Sequence, residues 1–139
     1  MSDGFTGAKI ALLCEGQTLV YLRDDKPDIP WAALWDLPGG GRENDETPTA
    51  CALRETHEEF GLTLDPVHIV WSRRYPAALD ASQHSWFLVA ELPAGSFRDV
   101  VFGDEGQRWE VMPVETYLAL PDGIAHLQQR LRDYLNSRA

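Results

Sequence analysis

The chain reads as an α/β sandwich, a single domain built on a mixed β-sheet. Three observations carry that expectation. Its 139 residues, 44% of them apolar, suit one hydrophobic core. Short apolar segments with turn residues between them recur along the chain in the manner of strands. Two other stretches, 48–60 and 122–137, carry helical spacing, one in the middle of the chain and one near its end. No repeat, low-complexity tract or interdomain linker divides the sequence.

The elements follow in order. Lys9 to Leu13 and Thr18 to Leu22 flank the turn signal E-G-Q and predict a β-hairpin. The Asp- and Pro-rich run 24–30 is a loop. Trp31 to Leu37 then leads into P-G-G-G at 38–41, which predicts a tight irregular segment. Thr47 followed by Pro48 is a helix start, with Thr at the N-cap and Pro at the first helical position, and Gly61 suits the residue just past the end. Within that helix Leu53, Thr56 and Phe60 lie within about 60° of one another, a face expected to pack on the sheet. His68 to Tyr75 and Ser85 to Leu92 read as strands joined by a loop. Asp99 to Phe102 reads as one more strand, 103–106 as a turn, Gln107 to Met112 as the last strand, and Glu115 to Leu120 as a short helix. Ile124, Leu127, Leu131, Tyr134 and Leu135 recur at helical spacing, so 122–137 is expected to be an amphipathic helix.

Charge and cysteine content narrow the function. The formal net charge of −10 would repel a polyphosphate backbone, which argues against a nucleic-acid polymer as partner. A small anion stays admissible if metal ions and a few arginines offset the field locally. No apolar run approaches the roughly 20 residues that span a bilayer, and the first seven residues do not read as a secretory signal. Cys14 and Cys51 form neither a C-x-x-C nor a zinc spacing and are expected to be buried reduced thiols. Together these features predict a soluble cytoplasmic protein with no membrane association, a monomer or homodimer.

The chemistry concentrates in R-E-T-H-E-E-F-G at 54–61. At helical pitch Glu55, Glu58 and Glu59 fall within an arc of about 100° on one face. Like charges so placed repel by about 0.2–0.5 kcal/mol per i,i+4 pair, a cost best tolerated if a cation occupies the face. Hard oxygen ligands select Mg²⁺, Mn²⁺ or Ca²⁺ over zinc. Mg²⁺ generally takes only one or two protein carboxylates, so this many acids point to more than one ion, and two ions can clamp a diphosphate and activate water. The preceding glycines, 39–41, let the backbone bend and bring a carbonyl close to such an ion.

Gly40, Glu46, Arg54, Glu55, Glu58, Glu59, Gly61 and Leu62 stand at the spacing of the Nudix box, and the segment resembles the signature of the Nudix hydrolases. Thr56 departs from it, standing where the pattern asks for a bulky aliphatic residue. The resemblance implies a Nudix-type α/β/α sandwich and hydrolysis of a nucleoside diphosphate-linked substrate with Mg²⁺ as cofactor, or Mn²⁺ in its place. It implies metal ligation by Glu55, Glu58 and Glu59, with the Gly39 carbonyl as an additional ligand, and a supporting role for Glu46 and Arg54 in orienting the acids. Glu55 would share in positioning water. Family members often add a carboxylate from a later loop. Here Glu105 in G-D-E-G-Q-R-W at 103–109 is the candidate, with Asp104 as runner-up, and either Glu105 or a box glutamate would accept the proton from water. The small size resembles mutator-type members acting on nucleoside triphosphates, oxidised ones included. A non-catalytic Nudix-fold module that binds a nucleotide or metabolite is the rival reading, and a plain cation-binding or scaffold protein is a second.

The residues that would choose the substrate are harder to read. Of the five tryptophans, Trp31 and Trp35, just before the glycine turn, are the best placed to stack on a base. Arg23 and Arg42 are alternatives for phosphate contact, and Arg73 and Arg74 point to opposite strand faces, so only one of that pair can face a given pocket. His57, His68, His84 and His126 share no spacing and are expected to be structural or exposed. The loops 24–36, 76–84 and 93–106 carry no motif that names a substrate.

Overall fold

A computed structural model describes residues 4–138; part of the N-terminal stretch read above for a signal, residues 1–3, lies outside them. The chain runs through β1 (Gly7–Cys14), β2 (Gln17–Leu22), β3 (Trp35–Asp36), β4 (Gly39–Gly41), α1 (Pro48–Phe60), β5 (Ile69–Pro76), β6 (His84–Glu91), β7 (Arg108–Pro113), α2 (Val114–Ala119) and α3 (Ala125–Ser137). All seven strands join one sheet whose main path is β3-β2-β1-β6-β5, with β4 added to β1 and β7 to β2. The sheet is mixed, because β1 and β6 run parallel from Ala8–Trp86 to Leu13–Glu91 while the other strand pairs are antiparallel.

The two-residue period of the strands builds the layers. Ile10, Leu12 and Cys14 of β1 with Leu88 and Ala90 of β6 face α1, which buries Cys51, Ala52, Thr56 and Phe60 against them. The alternate residues Ala11, Leu13, Phe87 and Val89 face α3, which contributes Leu127, Leu131 and Tyr134. The result is the expected α/β/α sandwich. On α1 the inward face is set by small residues near its start, and Leu53 is only half-buried. Thr56 is fully buried and its hydroxyl donates to the Ala52 carbonyl at 2.8 Å, so its polar atom is satisfied in an apolar position.

The β1–β2 hairpin forms, but it is paired only near its turn, at Leu13–Thr18 and Cys14–Gln17. Beyond that the strands part, and the segment 35–41 lies between them, with Trp35 and Asp36 on β2 and Gly39 to Gly41 on β1. The glycine run expected to be irregular is thus a short strand. Gly39 is the position that requires glycine: its φ is +121°, and a Cβ there would stand 2.2 Å from the Ala8 carbonyl oxygen. This wedge brings the glycines beside α1.

Three further expectations change. Asp99 to Phe102 is not a strand. Instead the Val101 and Gly103 amides donate to the Phe60 and Glu59 carbonyls at 2.9 and 2.8 Å, satisfying acceptors that the end of α1 leaves open, so the backbone serves the helix instead of the sheet. The last helix starts at Ala125, because residues 122–124 pair with β3: Trp35 donates to Asp122 O at 2.8 Å and Ile124 to Trp35 O at 3.1 Å. His68 ends a short 3₁₀ turn ahead of β5. Cys14 and Cys51 are buried and unpaired, as expected. No helix among the described residues is long and apolar enough to cross a membrane.

Candidate active site

The site is assembled on α1 because both of its ends are fixed. The Thr47 hydroxyl accepts from the Ala50 amide at 3.1 Å, Pro48 opens the helix, and Gly61 closes it at φ +66°, donating to the His57 carbonyl. Between these caps, Glu55, Glu58 and Glu59 share a face that lines a cavity of about 210 Å³, closed on its far side by Asp104 and Glu105. Both sequence candidates from the later loop therefore reach the acids of the helix. The docking of Val101 and Gly103 on the end of α1 carries them there.

Arg54 organises the group. Its Nε and Nη2 grip the two Glu46 oxygens at 2.7 and 3.1 Å, Nη2 also donates to the Gly41 carbonyl at 2.8 Å, and Nη1 reaches Glu55 at 3.1 Å and Glu58 at 3.2 Å. The Arg54 hydrogen bonds hold the Glu46 carboxyl below the usual carboxylate range. Glu46 further accepts from the Glu43 amide at 2.9 Å. Arg54 and Glu46 thus join the glycine strand to the acid face of the helix.

The acids are not equivalent. Glu58 is more than half exposed. Burial pushes the Glu55 carboxyl up, against the pull of Arg54. Burial pushes Glu59 up to about 8, moderated by the Lys9 charge and by the Gly39 amide, which donates to its Oε1 at 2.9 Å. Among the described residues no three His, Cys, Asp or Glu side chains already converge as a metal cluster. Arg54 draws Glu55 and Glu58 to itself, while Glu59 turns to Gly39. The donor set nevertheless fits a hard divalent cation. It is all oxygen, it lines one cavity, and it includes Glu59, whose burial raises its carboxyl and whose charged form a bound cation would favour.

A second group of residues, missed in the sequence, lies beneath. Asp36 is 1% exposed, and its Oδ2 accepts from Lys9 Nζ, the Tyr21 hydroxyl and Arg23 Nη1, each at 3.0 Å, while Oδ1 accepts from the Leu37 amide at 2.7 Å. Lys9 also donates to the Leu37 and Gly39 carbonyls at 3.1 and 3.0 Å, and Tyr21 lies 3.5 Å from Glu59. The buried Asp36 therefore fixes, through Lys9 and Tyr21, the glycine strand and the innermost acid. The available signal was an acid between Trp35 and Leu37, an apolar setting in which a charge needs partners. Arg23, used here, also borders a cavity of about 260 Å³ that shares Glu105 with the acid cavity. Arg42 is taken by the Glu46 carbonyl at 3.0 Å and the Phe5 ring, and Arg73 by Asp133 at 3.6 Å and the Tyr75 ring.

On the other side of the glycine strand lies a cavity of about 270 Å³ bordered by Lys9, Trp31, Gly40, Gly41, residues 77–79, Ser85, His126 and Arg130. Of the two tryptophans singled out, Trp31 borders it, its ring 5.1 Å from that of His126. Trp35 is 5% exposed in the core, covered by Arg108.

Comparison with known proteins agrees with this geometry. Residues 5–134 match the NUDIX domain model. A Mycobacterium tuberculosis protein provisionally named 8-oxo-dGTP diphosphatase 3 is 32% identical over 101 residues, 70% of this chain and 46% of that protein. An RNA pyrophosphohydrolase of Acidiphilium cryptum is 49% identical over 49 residues, 34% of this chain and 29% of that one. The chain spans less than half the length of these curated relatives. Among solved structures, the MutT protein of Methanosarcina mazei Go1 superposes with a TM-score of 0.75 at 20% identity, covering 99% of this chain and 98% of that one. A bifunctional NMN adenylyltransferase/ADP ribose pyrophosphatase of Francisella tularensis, complexed with AMP and Mn ion, reaches 0.79 at 16% identity over all of this chain and 43% of that one. These two likenesses speak for the fold. The family model matches nearly the whole chain, including every element that carries the acids, and the protein belongs to the Nudix family.

Proposed function

We propose that the protein is a Nudix hydrolase that cleaves a diphosphate bond in a nucleoside diphosphate-linked substrate, a nucleoside triphosphate or its oxidised form among them, with Mg²⁺ as cofactor and Mn²⁺ as substitute. The observation that carries this reading is the single cavity lined by Glu55, Glu58, Glu59, Asp104 and Glu105 beside the Gly39–Gly41 strand. Glu55, Glu58, Glu59 and Glu105, with the Gly39 carbonyl, would hold the metal; that carbonyl keeps a lone pair free beside its bond from Lys9. When bound, the metal supplies charge neutralisation at the phosphate oxygens and polarises the attacked phosphorus.

The chain's own residues supply the rest. Arg54 keeps Glu55 and Glu58 turned towards the glycine strand, and Glu46 holds Arg54 from behind. Asp36, through Lys9 and Tyr21, fixes Gly39 and Glu59 so that little reorganisation is needed during reaction. Glu105 or a box glutamate accepts the proton of the attacking water. The products are a nucleoside monophosphate and pyrophosphate or a phosphorylated remainder. The names of the two curated relatives, a diphosphatase and a pyrophosphohydrolase, support the same reaction class.

The test is a hydrolysis screen in Mg²⁺ over deoxynucleoside triphosphates and their oxidised forms, ADP-ribose, dinucleoside polyphosphates, nucleotide sugars, NADH and coenzyme A. Turnover of at least one is expected, and Glu58→Gln or Glu59→Gln should lower it at least about a hundredfold with the fold intact. Nucleotide binding without turnover on any of them would favour the non-catalytic module instead. Unchanged turnover in both variants would remove these acids from the mechanism.

A further inference from the structure

The cavity on the far side of the glycine strand has no part in the chemistry just described, yet it lies close to it: Gly40 borders this cavity, and a Cβ added there would stand 2.7 Å from the Glu55 carboxyl carbon. Only Gly40 and the Glu55 carboxylate stand between this cavity and the acids, within the reach of one nucleotide. Its wall is aromatic. Trp31 and His126 stand ring to ring, and burial together with the Arg130 charge pushes His126 down to about 4, so the imidazole is neutral near pH 7.

Its polar end is Arg130, which is 6% exposed and stands over the Tyr75 ring. The guanidinium donates to the Pro76 carbonyl at 2.9 Å and to the Ser85 hydroxyl at 3.2 Å, both neutral acceptors. Those bonds engage two of the five donors a guanidinium carries. Asp133, on the same helix, is occupied by the Tyr75 hydroxyl at 2.8 Å and by Arg73. Lys9, the other cation at the cavity, is saturated by Asp36, Leu37 O and Gly39 O. Arg130 is thus a largely buried cation with donors left over, at a cavity that the Trp31 ring also borders.

We infer that this cavity is a subsite for a 6-oxopurine base, with the ring against Trp31 and with Arg130 donating to O6 and N7. The inference deepens the hydrolase reading and rests on it for the link to a diphosphate. Arginine can only donate, so it requires an edge made of acceptors. Guanine and hypoxanthine present two, adenine places an amino donor where O6 would be, and an 8-oxopurine carries a proton on N7. The base selected is therefore the unoxidised oxopurine.

Calorimetric binding of nucleoside monophosphates, without metal, tests this independently of hydrolysis. GMP and IMP should bind equally. AMP, 7-deaza-GMP and 8-oxo-GMP should each bind on the order of tenfold more weakly, the scale of losing one base-edge contact. Trp31→Leu should weaken GMP and AMP alike, by about tenfold, through lost stacking. Equal affinities for GMP and AMP, or ribose 5-phosphate binding as well as GMP, would overturn the assignment. Because Arg130 is buried and its replacement can disturb α3, the ligand series decides the outcome whether or not an Arg130→Met variant folds. A protein that binds GMP selectively but hydrolyses nothing would retain this subsite while refuting the hydrolase reading, and a hydrolase indifferent to the base would do the reverse.

Discussion

The acid cavity and the aromatic cavity lie on either side of the contact between Glu55 and Gly40 but are built in opposite ways. Three acids of the first come from five consecutive residues, 55–59, and the other two from one loop docked on the end of the same helix. The second draws on residues around 6–9, 31, 40–41, 77–79, 85, 126 and 130, nearly the whole length of the chain. The first is therefore a property of helical pitch, and the second a property of how distant segments pack. The division matches the roles proposed for them: reactive groups at fixed mutual spacing on a rigid element, and recognition groups on loops and a separate helix that can change without disturbing it.

Variants that separate the two cavities test this comparison. The largest effect is expected from Glu59→Gln, with turnover down at least about a hundredfold and GMP affinity retained. Loss of GMP binding in that variant would mean the cavities act as one. Gly39→Ala should affect both, because its Cβ meets the Ala8 carbonyl of β1 and strains the strand the cavities share. A stability loss of about 2–3 kcal/mol in urea unfolding, with slower turnover, is expected. Asp36→Asn should cost about 1–3 kcal/mol by leaving Lys9 and Arg23 without their anion, whereas Tyr21→Phe, which removes one of the four bonds to Asp36 and the contact with Glu59 but leaves both cations paired, should slow turnover more than it destabilises. Because that variant removes the hydroxyl from both Asp36 and Glu59, normal turnover in it would leave Lys9 and Gly39 as the path from Asp36 to the acids. Glu105→Gln should slow the reaction by about tenfold with little change in stability, and a normal rate would move its role to Asp104.

The smallest effect concerns pH. His126 is held neutral in the folded protein down to about 4, whereas the unfolded chain protonates it near 6.5. The unfolded state thus binds more protons in that window, so this contribution to stability is complete above pH 6.5 and is lost as pH falls through about 4. Urea midpoints at pH 7 and pH 5 should differ less in His126→Gln than in the parent, and an unchanged difference would place the acid sensitivity elsewhere.

Much of the molecule was legible beforehand because its signals are local. Thr47-Pro48 and Gly61 bound α1, short apolar runs marked β1 and β6, and one helical face gathered Glu55, Glu58 and Glu59. These depend on local apolar runs, on the helical period of 3.6 residues and on single caps, which a chain carries wherever it folds. The same logic failed where a segment's partner was not its neighbour. Asp99 to Phe102 has strand-like composition, but its amides found the open carbonyls of α1; residues 122–124 fit the helix, but β3 took their backbone.

What the sequence determined by itself was the α/β/α arrangement, the acid-bearing helix and its register with Gly40, Glu46 and Arg54. Tertiary structure alone decided that Asp36 anchors Lys9, Tyr21 and Arg23, that Trp31 and not Trp35 borders a cavity, and that Arg130 stands at its end. The physical reason is that backbone periodicity fixes which residues share a face within an element. The meeting of Trp31 with His126, or of Arg130 with Ser85 and Pro76, depends on how elements far apart in the chain pack, and no local spacing records it.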